Sequence, residues 1–245
     1  MIPYSTHPVI AEFGFLKIYS YGVMMALAFL IGTYLAAKEA KRRGYNEDTI
    51  YSFSIVIILS SLFGARLLFA LQNQESFLDF FKLYRGGLSY FGGLIGGLIG
   101  LAVYCKIKKI SLPEYLDIFA PSIALGQAIG RVGCYLRGCC YGLKTNLPWA
   151  VYHEGALRHP TQLYSIILDL VMFGILFSLR KKKLFKGGLF VIYLIIYSII
   201  RFIIDIFRES TRYFWGLTLA QIICIIILLI AMSIFICYKI KKSKK

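Results

Sequence analysis

Charged residues are scarce in this chain. They make up 16% of it, where a soluble domain carries about a quarter. That shortage excludes an ordinary water-soluble fold. Histidine is scarcer still, with three copies, His7, His153 and His159, so candidate proton acceptors are few. No tract rich in Pro, Ser and Gly and no low-complexity run divides the sequence, and a single helical domain over residues 1–245 is expected. No charged segment with a small-residue cleavage site precedes the first apolar stretch, so a removable signal peptide is not expected.

What remains is apolar: 58% of residues are hydrophobic and mean hydropathy is +0.69. A helix needs about 20 apolar residues to span a bilayer. Seven stretches qualify as candidates: Tyr19–Ala37, Ile50–Leu71, Ser89–Tyr104, Tyr115–Ile129, Thr161–Leu179, Gly187–Phe207 and Leu217–Tyr238. The expected fold is therefore an all-α polytopic membrane protein of seven transmembrane helices.

The net charge of +16 does not indicate a nucleic-acid partner, because its distribution tells otherwise. Of 28 Lys and Arg, 17 fall in four clusters, at Lys38–Arg43, Lys106–Lys109, Arg180–Lys186 and Lys239–Lys245. These occupy alternate connections. The positive-inside rule then puts the N-terminus outside and the C-terminus in the cytoplasm, and an odd number of spans agrees. Arg66, Arg131, Arg137, Arg158, Arg201, Arg208 and Arg212 fall on or near the outer face in that arrangement.

Two outward connections exceed a tight turn, Phe77–Leu88 and Gly130–Pro160. Loops of that length are often functional. Gly133, Gly138, Gly142, Pro148 and Gly155 suggest irregular backbone in the second, which reads with Trp149 as a small extracytoplasmic cap. Cys105, Cys224 and Cys237 sit in or beside spans and read as apolar fillers. Cys134, Cys139 and Cys140 face outward, as a disulfide or as packed thiols. C-x4-C-C is not a usual zinc spacing, so a metal is the weakest reading and none is expected.

Gly92, Gly96 and Gly100 recur every four residues, as do Gly93 and Gly97. Such stripes either let helix backbones approach closely in lipid or supply flexible backbone that lines a ligand cavity. Tyr197, Arg201, Asp205 and Arg208 are spaced to share one face of the sixth span. A polar stripe in an apolar span faces the protein interior or a water-filled cavity. It reads either as a structural Arg201–Asp205 pair or as an anion site. Arg66 either snorkels to headgroups or joins that site. Arg131, between Gly130 and Gly133, suits a phosphate, which a guanidinium grips with two parallel hydrogen bonds. Asp117 reads as a structural partner for an interhelical donor, and His159 as part of a helix N-terminal turn before Pro160.

Taken together, Y-G-V-M (Tyr21–Met24), G-A-R-L (Gly64–Leu67), G-G-L-S-Y-F-G-G-L-I-G (Gly86–Gly96), D-I-F-A-P (Asp117–Pro121), G-Q-A-I-G-R-V-G (Gly126–Gly133), H-P-T-Q-L-Y (His159–Tyr164), the Tyr197–Arg208 stripe and G-L-T-L-A-Q (Gly216–Gln221) resemble the phosphatidylglycerol–prolipoprotein diacylglyceryl transferase family. The resemblance implies transfer of the diacylglyceryl group of phosphatidylglycerol to the lipobox cysteine thiol of a prolipoprotein signal peptide, with release of glycerol phosphate. It implies action at the outer face of the bacterial plasma membrane among membrane lipids, with no cofactor. By position it implies Arg131, Arg201 and Tyr197 in catalysis. Arg131, Arg66, Tyr21, His159, Gln162 and Arg208 fall to substrate binding. The chain departs from the family pattern at Phe91, where a histidine is usual, at Cys134 and Cys139 within the signature, at Ser165 and at Asp205. Two other readings stay open: a paralogue with a different acceptor, and a non-enzymatic lipid-binding or transport protein. Transport would need a polar path to the cytoplasmic half, whereas the charges within spans cluster outward.

Overall fold

The computed structural model describes residues 6–13, 16–73, 89–182, 184–211 and 213–243. The expected Phe77–Leu88 connection and Arg212 lie outside the described residues. Among the described residues seven long helices appear in order: α1 (Ser20–Arg42), α2 (Glu47–Gln72), α3 (Tyr90–Lys108), α4 (Leu112–Arg137), α5 (Thr161–Leu179), α6 (Gly188–Ile206) and α7 (Leu219–Ser243). Two small antiparallel hairpins supplement them, β1 (Val9–Phe13) with β2 (Leu16–Tyr19), and β3 (Val151–His153) with β4 (Ala156–Arg158).

Six of these helices, all but α4, are long and apolar enough to cross a membrane. Their outward residues fit that solvent: Leu30, Leu59, Phe63, Leu98, Ile107 and Leu229 are each more than half exposed, a pattern that water would penalise and hydrocarbon does not. α4 is a helix where a fourth span was expected, but Glu114, Asp117, Gln127, Arg131 and Arg137 dilute its apolar character.

One expected boundary is corrected. The irregular outward segment does not begin at Gly130, because α4 runs on to Arg137. Gly133 therefore serves packing rather than a bend: a Cβ there would meet Cβ of Met24 at 3.0 Å and the ring of Tyr21 at 3.2 Å. The irregular backbone starts at Gly138, whose φ is +75°.

The chain divides into two compact units, Ala36–Leu112 and Met1–Leu35 with Pro113–Lys245. In the first, α2 and α3 pack through the glycine stripe. A Cβ on Gly92 would strike the carbonyl of Gly64, and one on Gly96 would strike that of Ser60 and come within 2.9 Å of Gly64 Cα. The stripe is a packing device. Asn46 caps α2 by accepting the N–H of Asp48 at 2.8 Å.

In the second unit, the core is built where α4, α5 and α6 meet, from Ala120, Ala124, Met172, Leu176, Leu189 and Tyr193. Alanines four apart on α4 leave room for the larger side chains opposite. Asp117 is the expected interhelical partner: its two carboxylate oxygens accept the N–H groups of Gly187 at 2.8 Å and Phe190 at 2.9 Å. Those donors lie at the start of α6, where helical N–H groups lack partners and the dipole favours negative charge. Glycine at 187 is required there, because φ is +86°. α7 opens with a capping box. Thr218 Oγ1 accepts the N–H of Gln221 at 3.1 Å, and Gln221 Oε1 accepts the N–H of Thr218 at 3.0 Å.

Candidate active site

The spacing of α6 puts Tyr197 and Arg201 on one face, and α4 brings Arg131 to meet it. All three line one cavity, together with Gln127 of α4, Ser165 and Asp169 of α5, and Ile200 and Ile204. The residues assigned to catalysis by resemblance are thus neighbours in space despite a separation of about 70 positions.

Arg201 is held from below. Its Nη1 lies 3.1 Å from Oδ1 of Asp205, one turn along the helix, and Asp205 is almost fully buried. The other carboxylate oxygen of Asp205 accepts the hydroxyl of Thr218, so the α7 cap and the Arg201 support share one side chain. Tyr197 stacks on Tyr193, with ring centroids 5.8 Å apart at 19°, and Tyr193 stacks in turn on Phe190. A buried carboxylate fixing a guanidinium, and a stack fixing a phenol, hold both groups ready before any ligand arrives.

Asp169 was not anticipated. It is 95% shielded from solvent and stands among two arginines and a tyrosine. The signal was present, because a single acid in an apolar span is a functional residue by default, and Gln162, Ser165 and Asp169 follow helical spacing along α5. Its presence changes the electrostatics: Arg131 and Arg201 face Asp169 and Asp205, so the cavity is close to charge-balanced rather than strongly cationic.

The remaining expected residues go elsewhere. Arg208 does not continue the α6 stripe, since the helix ends at Ile206 and Arg208 pairs through its backbone with Gly142. Gln162 is buried and donates its side-chain N–H to the carbonyl of Cys139 at 2.7 Å, while Thr161 donates to that of Cys140 at 2.7 Å. His159 lies beside Phe207, ring centroids 5.2 Å apart, and its Nδ1 is 3.2 Å from the Tyr164 hydroxyl, which accepts the indole N–H of Trp149 at 2.7 Å. Burial depresses the pKa of His159, which favours the neutral ring. Tyr21 is on α1, and Arg137 lies 6.0 Å over its ring. Arg66 belongs to the other unit, where it is buried and packs 5.5 Å over Phe69; it does not snorkel. Phe91, at the start of α3, is half-exposed.

The segment after α4 is tied down by main chain. Gly142 N–H donates to His159 O at 3.0 Å, Leu143 N–H to Phe207 O at 2.8 Å and His159 N–H to Leu143 O at 3.0 Å. Gly142 has no room for a side chain, because a Cβ would meet Cβ of His159 at 2.6 Å and the Phe207 carbonyl at 2.6 Å. Arg158 completes the fastening with an ion pair to Glu209 at 2.5 Å and a cation–π contact 4.7 Å over Tyr141. Cys139 and Cys140 diverge in acidity. Hydrogen bonding with Cys134 and then Cys139, helped by the nearby Arg208 and Arg131, pulls the Cys140 thiol far below its ordinary range. Contacts with Cys134 and Cys140 push Cys139 above it.

Two arginines, one of them paired with a buried carboxylate, beside a phenol and a carboxyl can grip a phosphate, stabilise charge on a leaving oxygen and move a proton. Comparison with known proteins points the same way. The model of the family described as prolipoprotein diacylglyceryl transferase matches residues 8–237. The chain is 38% identical over 215 residues to the phosphatidylglycerol–prolipoprotein diacylglyceryl transferase of Clostridium tetani (strain Massachusetts / E88), covering 84% of this chain and 86% of that protein. It is 38% identical over 210 residues to the protein of that name in Clostridioides difficile (strain 630), covering 84% and 85%. A third, from Finegoldia magna (strain ATCC 29328 / DSM 20472 / WAL 2508), is 34% identical over 233 residues, covering 92% and 94%. With its six apolar helices, a match over nearly its whole length makes this multi-pass bacterial membrane protein a member of the prolipoprotein diacylglyceryl transferase family.

Proposed function

We propose that the chain transfers the diacylglyceryl group of phosphatidylglycerol to the lipobox cysteine thiol of prolipoproteins at the extracytoplasmic face of the plasma membrane. The observation that carries it is the meeting of Arg131, Tyr197 and Arg201 in one cavity, in a chain of this family. Arg131 and Arg201 take the phosphate of the lipid. As the carbon–oxygen bond breaks, their guanidinium groups stabilise charge gathering on the departing glycerol phosphate. Tyr197 orients the headgroup. Phe91 cannot accept a proton, whereas Asp169 can, and it receives the proton of the acceptor thiol. Charge balance supports that role. A phosphodiester entering between the arginines adds a negative charge, and the proton that Asp169 takes from the thiol moves negative charge from the carboxylate to the attacking sulfur and then, as the carbon–oxygen bond breaks, to the leaving phosphate between those arginines.

The basic clusters in alternate connections support an outside N-terminus and a cytoplasmic C-terminus. α4 serves as the seventh span. Its 26 residues extend about 39 Å at 1.5 Å each, and its polar Gln127 and Arg131 turn to the cavity rather than to lipid. The segment from Gly138 to Pro160 then caps the outer end. Tyr21 and Arg208 supply further polar and positive groups along the path of the headgroup, while His159 and Gln162 act by holding that cap.

Purified protein incubated with phosphatidylglycerol and a lipobox peptide should yield the thioether-linked diacylglyceryl peptide and glycerol phosphate, both read by mass spectrometry. A folded preparation that binds the lipid yet forms neither product would overturn the proposal.

A further inference from the structure

Three sulfurs stand together at the end of α4, which carries Arg131 to the cavity. The Sγ atoms of Cys134, Cys139 and Cys140 all lie within 4.8 Å of one another, and those of Cys139 and Cys140 are 3.8 Å apart. None of the three is in a disulfide. A tetrahedral Zn²⁺ binds thiolates at about 2.3 Å, which sets neighbouring sulfurs about 3.8 Å apart. The linear spacing C-x4-C-C hides this grouping, because the chain reverses between the first and second cysteines.

The reversal is held by the fold. Cys134 follows Arg131 by one turn of α4, and its carbonyl closes the helix by accepting the N–H groups of Gly138 and Cys139, each at 3.1 Å. Gly138 and Cys140 take left-handed backbone, φ +75° and +67°. For a cysteine that conformation is unfavourable and persists only where its surroundings enforce it. Here the buried side chains of Thr161 and Gln162 enforce it by gripping the carbonyls of Cys140 and Cys139 at 2.7 Å each. Both vicinal thiols are thereby set toward Cys134. All three cysteines are half-buried, within reach of a small ion. Three thiolates around a divalent cation carry one net negative charge, and Arg131 lies one turn before Cys134 on the same helix.

We propose that Cys134, Cys139 and Cys140 form a binding site for one thiophilic divalent cation of the Zn²⁺ class. Among the described residues no His, Asp or Glu joins the three sulfurs, so a tetrahedral ion keeps one position for an outside ligand. Resting on the transferase reading above, that ligand is the acceptor's cysteine sulfur. Coordination lowers the thiol's hold on its proton, which passes to Asp169. The sulfur then forms its bond to the glyceryl carbon, the carbon–oxygen bond to phosphate breaks, and the electron pair leaves with glycerol phosphate.

The test uses full-length protein in detergent, reduced with a phosphine and stripped of metal, then titrated with Co²⁺. The expected result is one ion per chain with a near-ultraviolet sulfur-to-cobalt charge-transfer band that Zn²⁺ displaces. Cys134→Ser, Cys139→Ser and Cys140→Ser should each weaken binding by at least about tenfold, while Cys237→Ser leaves it unchanged. No band in the reduced wild-type protein, or a band that survives all three single variants, overturns the site. Adding a lipobox peptide should shift the cobalt spectrum, and its Cys→Ser counterpart should not. No shift with the cysteine peptide removes the acceptor from the fourth position. Thioether formation, measured separately, reports on the transferase reading itself.

Discussion

Nη1 of Arg201 lies 3.1 Å from Oδ1 of Asp205, and the second oxygen of the same carboxylate takes the hydroxyl of Thr218. The guanidinium is thus positioned through the start of α7, which is not part of the cavity. Asp205→Ala should free Arg201 and lower the rate of transfer by about 100-fold, the scale of a misplacement near 1 Å. Thr218→Val, which keeps the carboxylate, should lower it less. Initial rates of thioether formation on folded variants distinguish the two. Equal rates in wild type and Asp205→Ala would refute the support.

Arg131→Ala and Arg201→Ala should each cost about 10²–10³-fold in rate, the scale for removing one donor to a developing oxyanion. Lysine at either position restores charge but not the planar fork, so Arg131→Lys should recover only part of the loss. Size-exclusion profiles matching wild type would show that the loss is chemical.

Asp169→Asn keeps the shape of the side chain and removes its ability to take a proton. Transfer should fall by about 10²–10⁴-fold, as for a lost general base. The residual rate should lose the decline that wild type shows toward acid, since that decline reports protonation of the acceptor. A pH–rate profile checks both. An unchanged acid limb in Asp169→Asn would exclude the assignment.

His159 gives a stability prediction with a definite sign. Burial depresses its folded-state pKa, so the unfolded chain binds the proton more readily. The stabilisation it contributes is full above the unfolded value of about 6.5 and declines as pH falls through and below it. Thermal denaturation between pH 8 and pH 5 should show wild type losing stability toward acid, with a shallower slope in His159→Gln.

Gly96→Val tests the α2–α3 contact. Its side chain would collide with the Ser60 carbonyl and crowd Gly64, and overpacking costs about 1–3 kcal/mol. A lower Tm in detergent is expected, with Gly174→Val as the control, because a Cβ at Gly174 meets nothing within 4 Å.

The helices were legible because the membrane demands length and apolarity over long runs, and both are visible without tertiary information. Arg131 and Arg201 were legible because charge stands out against such runs. Misreadings arose where local signals competed with packing. Glycines at 130 and 133 suggested a loop, yet α4 continues because Gly133 lets it approach Tyr21 and Met24. Arg208 kept the spacing of the α6 face, but the helix stops two residues short of it. Asp169 carries the same kind of signal, a single acid in an apolar span, with no second charge on its helix to draw the eye to it. The gathering of three thiols depends on a left-handed cysteine, which no periodicity announces.

The fastening of Gly142 and Leu143 to His159 and Phe207 runs through peptide groups, and peptide groups are common to nearly every amino acid. Apart from Gly142 itself, the route of this segment is therefore insulated from its composition. Lys144, Asn146 and Leu147 are exposed and can be exchanged with little penalty to folding, so the surface this segment presents can change while its main-chain fastening stays in register.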